Sequence, residues 1–190
     1  VDFDELVDQP DVLHTIPEVA SVLGMSRPSA ALLAVSGAGG PVFRKGARTD
    51  INSVLVPDST LGSLRMRPFV ADHPEALVVR VRPARVDPND PDREFMGWRP
   101  DAAAADLAAA IGRWWRIADP SYWHGKTFVA TIVGFVVHIA TVESHSTHPA
   151  GLVAFTLTVP TPEALDSFEG KRLEITQGGV TVHLKNTRER

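Results

Sequence analysis

Apolar positions near the N-terminus recur three and four apart, whereas those beyond residue 75 run together or alternate. The first pattern belongs to helices and the second to strands. An acidic segment, Asp4 to Asp8, reads as a short helix stopped by Pro10. Thr15 followed by Glu18 forms a capping-box pair, with Pro17 in a first turn that tolerates it. A helix is predicted from Pro17 to Leu23, ending at Gly24, and a second from Ser26 to about Val35. The cluster Ser36-Gly37-Ala38-Gly39-Gly40-Pro41 breaks the pattern. Val42 to Arg44 and Ser53 to Val56 read as short strands, and Pro57 to Pro68 as a loop or linker.

The second half begins with a strand, Ala76 to Arg82, whose alternating end has one wet face. A Pro/Asp/Asn loop follows, from Pro83 to Pro91. Asp101 caps a predicted helix, Ala102 to Ile111, closed by Gly112. Trp114 to Ile117 leads into a strand, and Asp119 to Gly125 is turn-rich. Strands are predicted at Lys126–Ile132, Phe135–Val142 and Leu152–Val159, with a polar loop at Ser144–Gly151. Pro162 to Phe168 makes one or two helical turns. Arg172–Thr176 and Val180–Leu184 read as a hairpin across Gln177-Gly178-Gly179. The pattern therefore predicts an α+β chain with a helical region at 1–70 and a strand-rich domain at 71–190.

Composition narrows the function classes. The 190 residues are 44% apolar, enough to bury a sizeable core. No apolar run approaches the length of a membrane span; the longest, Phe128 to Ala140, contains His138. With no cysteine, thiolate metal sites, disulfides and a cysteine nucleophile are excluded, and a cytoplasmic location is expected. The acidic N-terminus lacks the pattern of a secretion signal. A net charge of −4 argues against strong sequence-independent attraction to nucleic acid by the whole chain, but leaves room for a local basic face.

Three constellations carry candidate chemistry. The first is the helix pair: Val19, Ala20, Leu23, Gly24, Met25, Ala30 and Leu33 occupy the offsets of a helix-turn-helix. Arg27 and Ser29 are the groups its second helix offers to base edges, and several long polar side chains would be usual there. Such a pair serves either DNA reading or packing and dimerisation. The second is aromatic and basic. All four tryptophans and the single tyrosine lie between residues 98 and 123, flanked by Arg113, Arg116, His124 and Lys126. Aromatic faces beside arginines can stack a base and hold a phosphate; equally, such a cluster can be a tryptophan-rich core corner. The third is His138, His145 and His148, a weak metal pattern that admits a metal-dependent enzyme as an alternative. The run Asp87, Asp90, Asp92 and Glu94 is dense enough for a cation, but its prolines point to a rigid, solvated turn. No phosphate loop or nucleophile elbow is present, and nothing assembles a nucleophile, base and oxyanion hole. No metal or cofactor is expected.

The stretch from about Leu77 to Asn186 resembles PUA-like domains of the EVE and ASCH type. The carriers are the strand Leu77–Val81, the run Ala109 to Ile117 with Trp114-Trp115, the glycine-broken pair Thr127 to Val137, the strand Leu152–Phe155, and Phe168-Glu169-Gly170-Lys171-Arg172-Leu173 before the last hairpin. The resemblance implies a bent β-barrel with one long helix that binds RNA or a modified, extruded DNA base. It also implies a setting in bacterial defence, beside a nuclease partner. It places Trp115 in the base pocket. Proximity in sequence adds Trp98, Tyr122 and Trp123 as stacking candidates, with Arg113, Arg116, His124 and Lys126 as phosphate or edge contacts. The leading expectation is a nucleic-acid reader without catalysis and without a membrane. The alternative is a DNA-binding regulator or antitoxin-like protein, a homodimer using the helix pair.

Overall fold

The computed structural model describes residues 11–45, 53–88, 90, 93–174 and 179–187. The helix expected at Asp4–Asp8 and part of the last hairpin lie outside the described residues. Among those described, five α-helices and nine strands make an α+β fold. The chain divides into two compact units. One comprises residues up to Val35 and Gly39–Met66; the other comprises Ser36–Ala38 and everything from Arg67 onward.

The first unit contains β1 (Leu13–Thr15), α1 (Ile16–Leu23), α2 (Arg27–Ser36), β2 (Phe43–Arg44), β3 (Val54–Pro57) and α3 (Asp58–Met66). The capping-box residues behave as their spacing requires: the Glu18 carboxylate accepts from the Thr15 backbone N–H at 2.7 Å and its hydroxyl at 2.8 Å. Gly24 ends α1 with φ +64°, the left-handed conformation that lets the chain turn sharply. Ser26 starts α2, its hydroxyl accepting from the Ser29 N–H at 3.3 Å. The two helix axes bend by 106° across this break. β1 and β2 both pair antiparallel with β3, in the order β1-β3-β2. Ile16, Val19, Ala20, Ala30, Ala34, Val54, Val56 and Leu61 form the core. The segment expected to be loop, Pro57 to Pro68, is largely the helix α3. Thr60, Leu61 and Leu64 give it a buried stripe, while Gly62 and three Ser/Thr residues obscure that stripe in the sequence.

The second unit is built on β4 (Ala76–Arg80), β5 (Arg113–Trp115), β6 (Thr127–Ile132), β7 (Phe135–Thr147), β8 (Val153–Thr158) and β9 (Thr181–Leu184). They form one curled sheet, in the order β5-β8-β7-β6-β4-β9. Only β4 and β6 run parallel. β6 is buried along its whole length and β4 nearly so, which is why both read as unbroken apolar runs. α5 (Pro162–Phe168) sets Phe168 into a core of Ala76, Val78, Val129 and Val136. α4 (Ala104–Ile111) buries Leu107, Ala110 and Ile111.

Several boundaries differ from the pattern-based expectation. α4 begins after Ala103, so Asp101 lies in the preceding turn rather than at the cap. β7 continues through the expected polar loop to Thr147, held by pairing to β8. Arg172 bridges Phe69 and Phe135, while β9 pairs with β4, so these segments belong to different ladders instead of one local hairpin. Among the described residues, no single helix is long and apolar enough to cross a membrane.

Candidate nucleic-acid interface

In the first unit, packing fixes which side of each helix is presented. Val19, Ala20, Ala30, Leu33 and Ala34 are buried, which turns Arg27, Pro28 and Val35 of α2 outward. Arg27 is exposed at the first position of α2. Ser29 is half-buried and engaged at the helix start, its hydroxyl accepting from Ser26 at 2.9 Å. The outward face of α2 is thus mostly apolar, with one long cation at its N-terminal end. Arg44 and Lys45 are exposed at the end of β2, and Arg48 follows in the sequence between β2 and β3. The sequence reading missed this basic step, although adjacent cations directly after a short strand were its signal.

In the second unit, the aromatic candidates differ in exposure. Trp98 is 8% exposed and its backbone N–H donates to the Arg82 carbonyl at 2.9 Å. Trp115 is half-buried on β5, its indole N–H satisfied by the Ile111 carbonyl at 2.9 Å. Trp123 is 5% exposed and meets the His183 ring edge-on at 4.8 Å. Tyr122, 44% exposed, is the open one of the four. Among the described residues, no ring contact joins Trp98 or Trp115 to Tyr122 or Trp123.

The basic candidates are differently committed. Arg113 reaches Asp90 at 3.3 Å. Arg116 is exposed. His124 shares a 2.8 Å hydrogen bond with His145. Lys126 is held by Glu75 and lies 3.2 Å from the centre of the Tyr122 ring.

No protein family, characterised protein or solved structure matches the chain.

Two polar clusters organise the second unit, and neither was legible as such. Around Glu75, the Tyr122 hydroxyl, the Lys126 ammonium and the His183 Nε2 all converge on one carboxylate. The pairing of β4 with β9, which sets Leu77 opposite His183, brings these distant residues together. Burial raises the Glu75 carboxyl, but the hydrogen bonds from Lys126, Tyr122 and His183 outweigh it and pull the pKa down to about 2. For Lys126, burial works downward and the same Glu75 contact overcomes it, leaving its pKa raised.

The second cluster corrects the expected solvated turn. Asp87, Asp90 and Arg93 are all buried. The Arg93 guanidinium binds Asp87, lies 3.5 Å from Asp90, and donates to the carbonyls of Ala110 at 3.2 Å and Arg113 at 2.8 Å. The Trp114 indole N–H donates to Asp90 at 3.0 Å. The carboxylates are tolerated inside because guanidinium groups and an indole answer them. They hold protein cations, and this ties the loop to the end of α4 and to β5.

Among the described residues, the histidine alternative lacks a ligand set. His138 is half-buried on β7 with its pKa lowered by burial, and His148 packs against Trp114. Among the described residues, no three His, Asp or Glu side chains converge as a metal would require.

Proposed function

We propose that the chain is a DNA-binding protein of the regulator or antitoxin-like type, docking duplex DNA through α1 and α2. The observation that carries this reading is the 106° bend of the two helices across the Gly24 turn. A helix-turn-helix sets its helices at about 90–120° across a short turn, so that the second can enter the major groove. Arg27 at the start of α2 stands where such a helix meets base edges or phosphates, and Arg44 and Lys45 add cations on the neighbouring hairpin. The sparse polar face of α2 favours affinity drawn mainly from phosphates, with limited direct readout.

The reading of a flipped or modified base by a PUA-like second unit has narrower support. It draws on the curled sheet, and on Trp115 and Tyr122 as the less buried aromatics. Trp98 and Trp123 have little surface left to offer a base.

The test is duplex binding by the full chain, followed by fluorescence anisotropy over a salt series. Arg27→Ala should weaken binding by about tenfold or more, and Arg44→Ala should flatten the salt dependence by about 0.9 in log–log slope. Duplex binding indifferent to both substitutions would remove the helix pair from the interface.

A further inference from the structure

A different surface, on the second unit, is assembled by bridges rather than by long strands. Arg172 is bridged on one side by Phe69, in parallel, and on the other by Phe135, antiparallel. Backbone hydrogen bonds hold the register: Arg172 N–H to the Pro68 carbonyl and Val70 N–H to the Arg172 carbonyl, both at 2.9 Å, and Leu173 N–H to the Gly134 carbonyl at 2.8 Å. Bridged partners project to the same face, and so does a residue two positions along an extended segment. Arg67, Phe69, Phe135 and Arg172 therefore share one face.

Their contacts agree with that register. The Arg172 guanidinium lies over the Phe69 ring at 4.2 Å and 6.0 Å from the Phe135 centroid. The Arg67 guanidinium approaches the same Phe135 ring at 5.8 Å. Two cations thus gather on one aromatic ring.

Among the described residues, neither guanidinium forms an ion pair with a carboxylate, whereas Arg93, Arg99, Arg113 and Lys126 all do. Arg67 donates to one neutral acceptor, the Ala38 carbonyl, at 3.3 Å. The Arg172 Nε is buried and has no partner. Gathering two like charges without a counter-charge, with one donor unsatisfied, costs stability unless an anion completes the arrangement. Burial also pushes the Arg67 pKa below its ordinary value. Beside the cations, Phe69 is 52% exposed, so it retains open surface besides the contact with Arg172.

We propose that Arg67, Arg172 and Phe69 form a nucleotide-binding site, in which the guanidinium groups hold a phosphate and a base stacks on the open side of the phenyl ring. Arginine supplies the forked donors that match phosphate oxygens, and a phenyl ring accepts any base as a stacking partner. A carboxylate ligand would use the cations and leave the ring idle, so the aromatic surface selects the nucleotide. The ligand is either a single strand of nucleic acid or a free nucleotide, since both carry the same phosphate and base. The site shares no residue with α1 or α2, so it stands or falls apart from duplex docking.

The test uses the full chain and a fluorescein-labelled oligothymidine of about 12 nucleotides, read by anisotropy at low salt. Thymidine monophosphate and a glutamate-rich peptide serve as competitors. Arg67→Gln combined with Arg172→Gln should weaken binding about tenfold or more and lower the log–log salt slope by about 0.7 per lost phosphate contact. Phe69→Ala, at an exposed ring whose loss spares the core, should weaken binding about fivefold or more. These variants should bind duplex DNA as the parent does, while Arg27→Ala should leave oligothymidine binding unchanged. Displacement by the mononucleotide identifies a free nucleotide as the ligand, and resistance to it identifies a strand; both support the site. The proposal is overturned if oligothymidine does not bind, if binding ignores all three substitutions, or if the acidic peptide displaces the oligothymidine.

Discussion

Replacing Glu75 by glutamine removes one charge from a carboxylate that answers three donors and leaves the side-chain shape intact. The pKa of Glu75 falls from 4.5 to about 2 on folding, which corresponds to a ceiling of about 3 kcal/mol at 1.36 kcal/mol per unit. Its side chain is 23% exposed, so solvent screening reduces the expected contribution to about 1–2 kcal/mol. The raised pKa of Lys126 reflects the same contact and is not added to it. The sign follows from the direction of the shift. A depressed carboxylate stabilises the fold fully above its unfolded pKa, and this contribution fades as pH falls through 4.5 toward 2. Urea denaturation of wild type and Glu75→Gln should therefore differ by about 1–2 kcal/mol at neutral pH, with the two curves converging in acid. A gap that persists unchanged to the bottom of that window would mean that the carboxyl's hydrogen-bonding pattern, rather than its charge, matters at this position. No gap at neutral pH would mean that the cluster contributes nothing to stability.

Three further outcomes follow from the same structure. Asp87→Ala leaves the buried Arg93 guanidinium without its closest partner and should cost about 3–5 kcal/mol by chemical denaturation. Asp87→Ala with Arg93→Met together should recover part of that loss, and a double variant no better than the single one would argue against charge burial as the cause. Gly97 has φ +95°, and a Cβ there would lie 2.5 Å from the Arg82 carbonyl oxygen; Gly97→Ala should destabilise by about 2 kcal/mol or more, and a neutral effect in thermal unfolding would contradict that geometry. Phe168 is fully buried between α5 and the sheet, so Phe168→Ala should cost about 3–5 kcal/mol, checked by the same denaturation curves.

What the sequence revealed depended on how local the cause was. α1 and α2 were legible because Thr15, Glu18, Gly24 and Ser26 carry their start and stop signals within a few residues. β4 and β6 were legible because burial on both faces leaves continuous apolar runs. α3 was not, since three buried positions among Ser, Thr and Gly give a faint stripe. The end of β7 was hidden because Ser144 to Thr147 are held by backbone pairing with β8, which leaves no hydrophobic trace.

Candidate sites suffered more, because side-chain direction is set by long-range packing. Trp98 and Trp123 turned inward, whereas Tyr122, adjacent to Trp123, stayed half open. Glu75 and His183 stand 108 positions apart and meet only because β9 returns beside β4. Asp87 and Asp90 read as solvated because prolines lie among them; the burial of Arg93, which answers them, depends on distant carbonyls at Ala110 and Arg113. The arginines of the proposed nucleotide site are likewise joined by bridges between distant segments.

The most direct test of duplex docking by the helix pair is selection of bound sequences from a random duplex library by the full chain. The account predicts an enriched motif, with half-sites about one helical turn apart if two copies bind, and loss of that enrichment in Arg27→Ala. A library that emerges unenriched, or one enriched equally by Arg27→Ala, would contradict it.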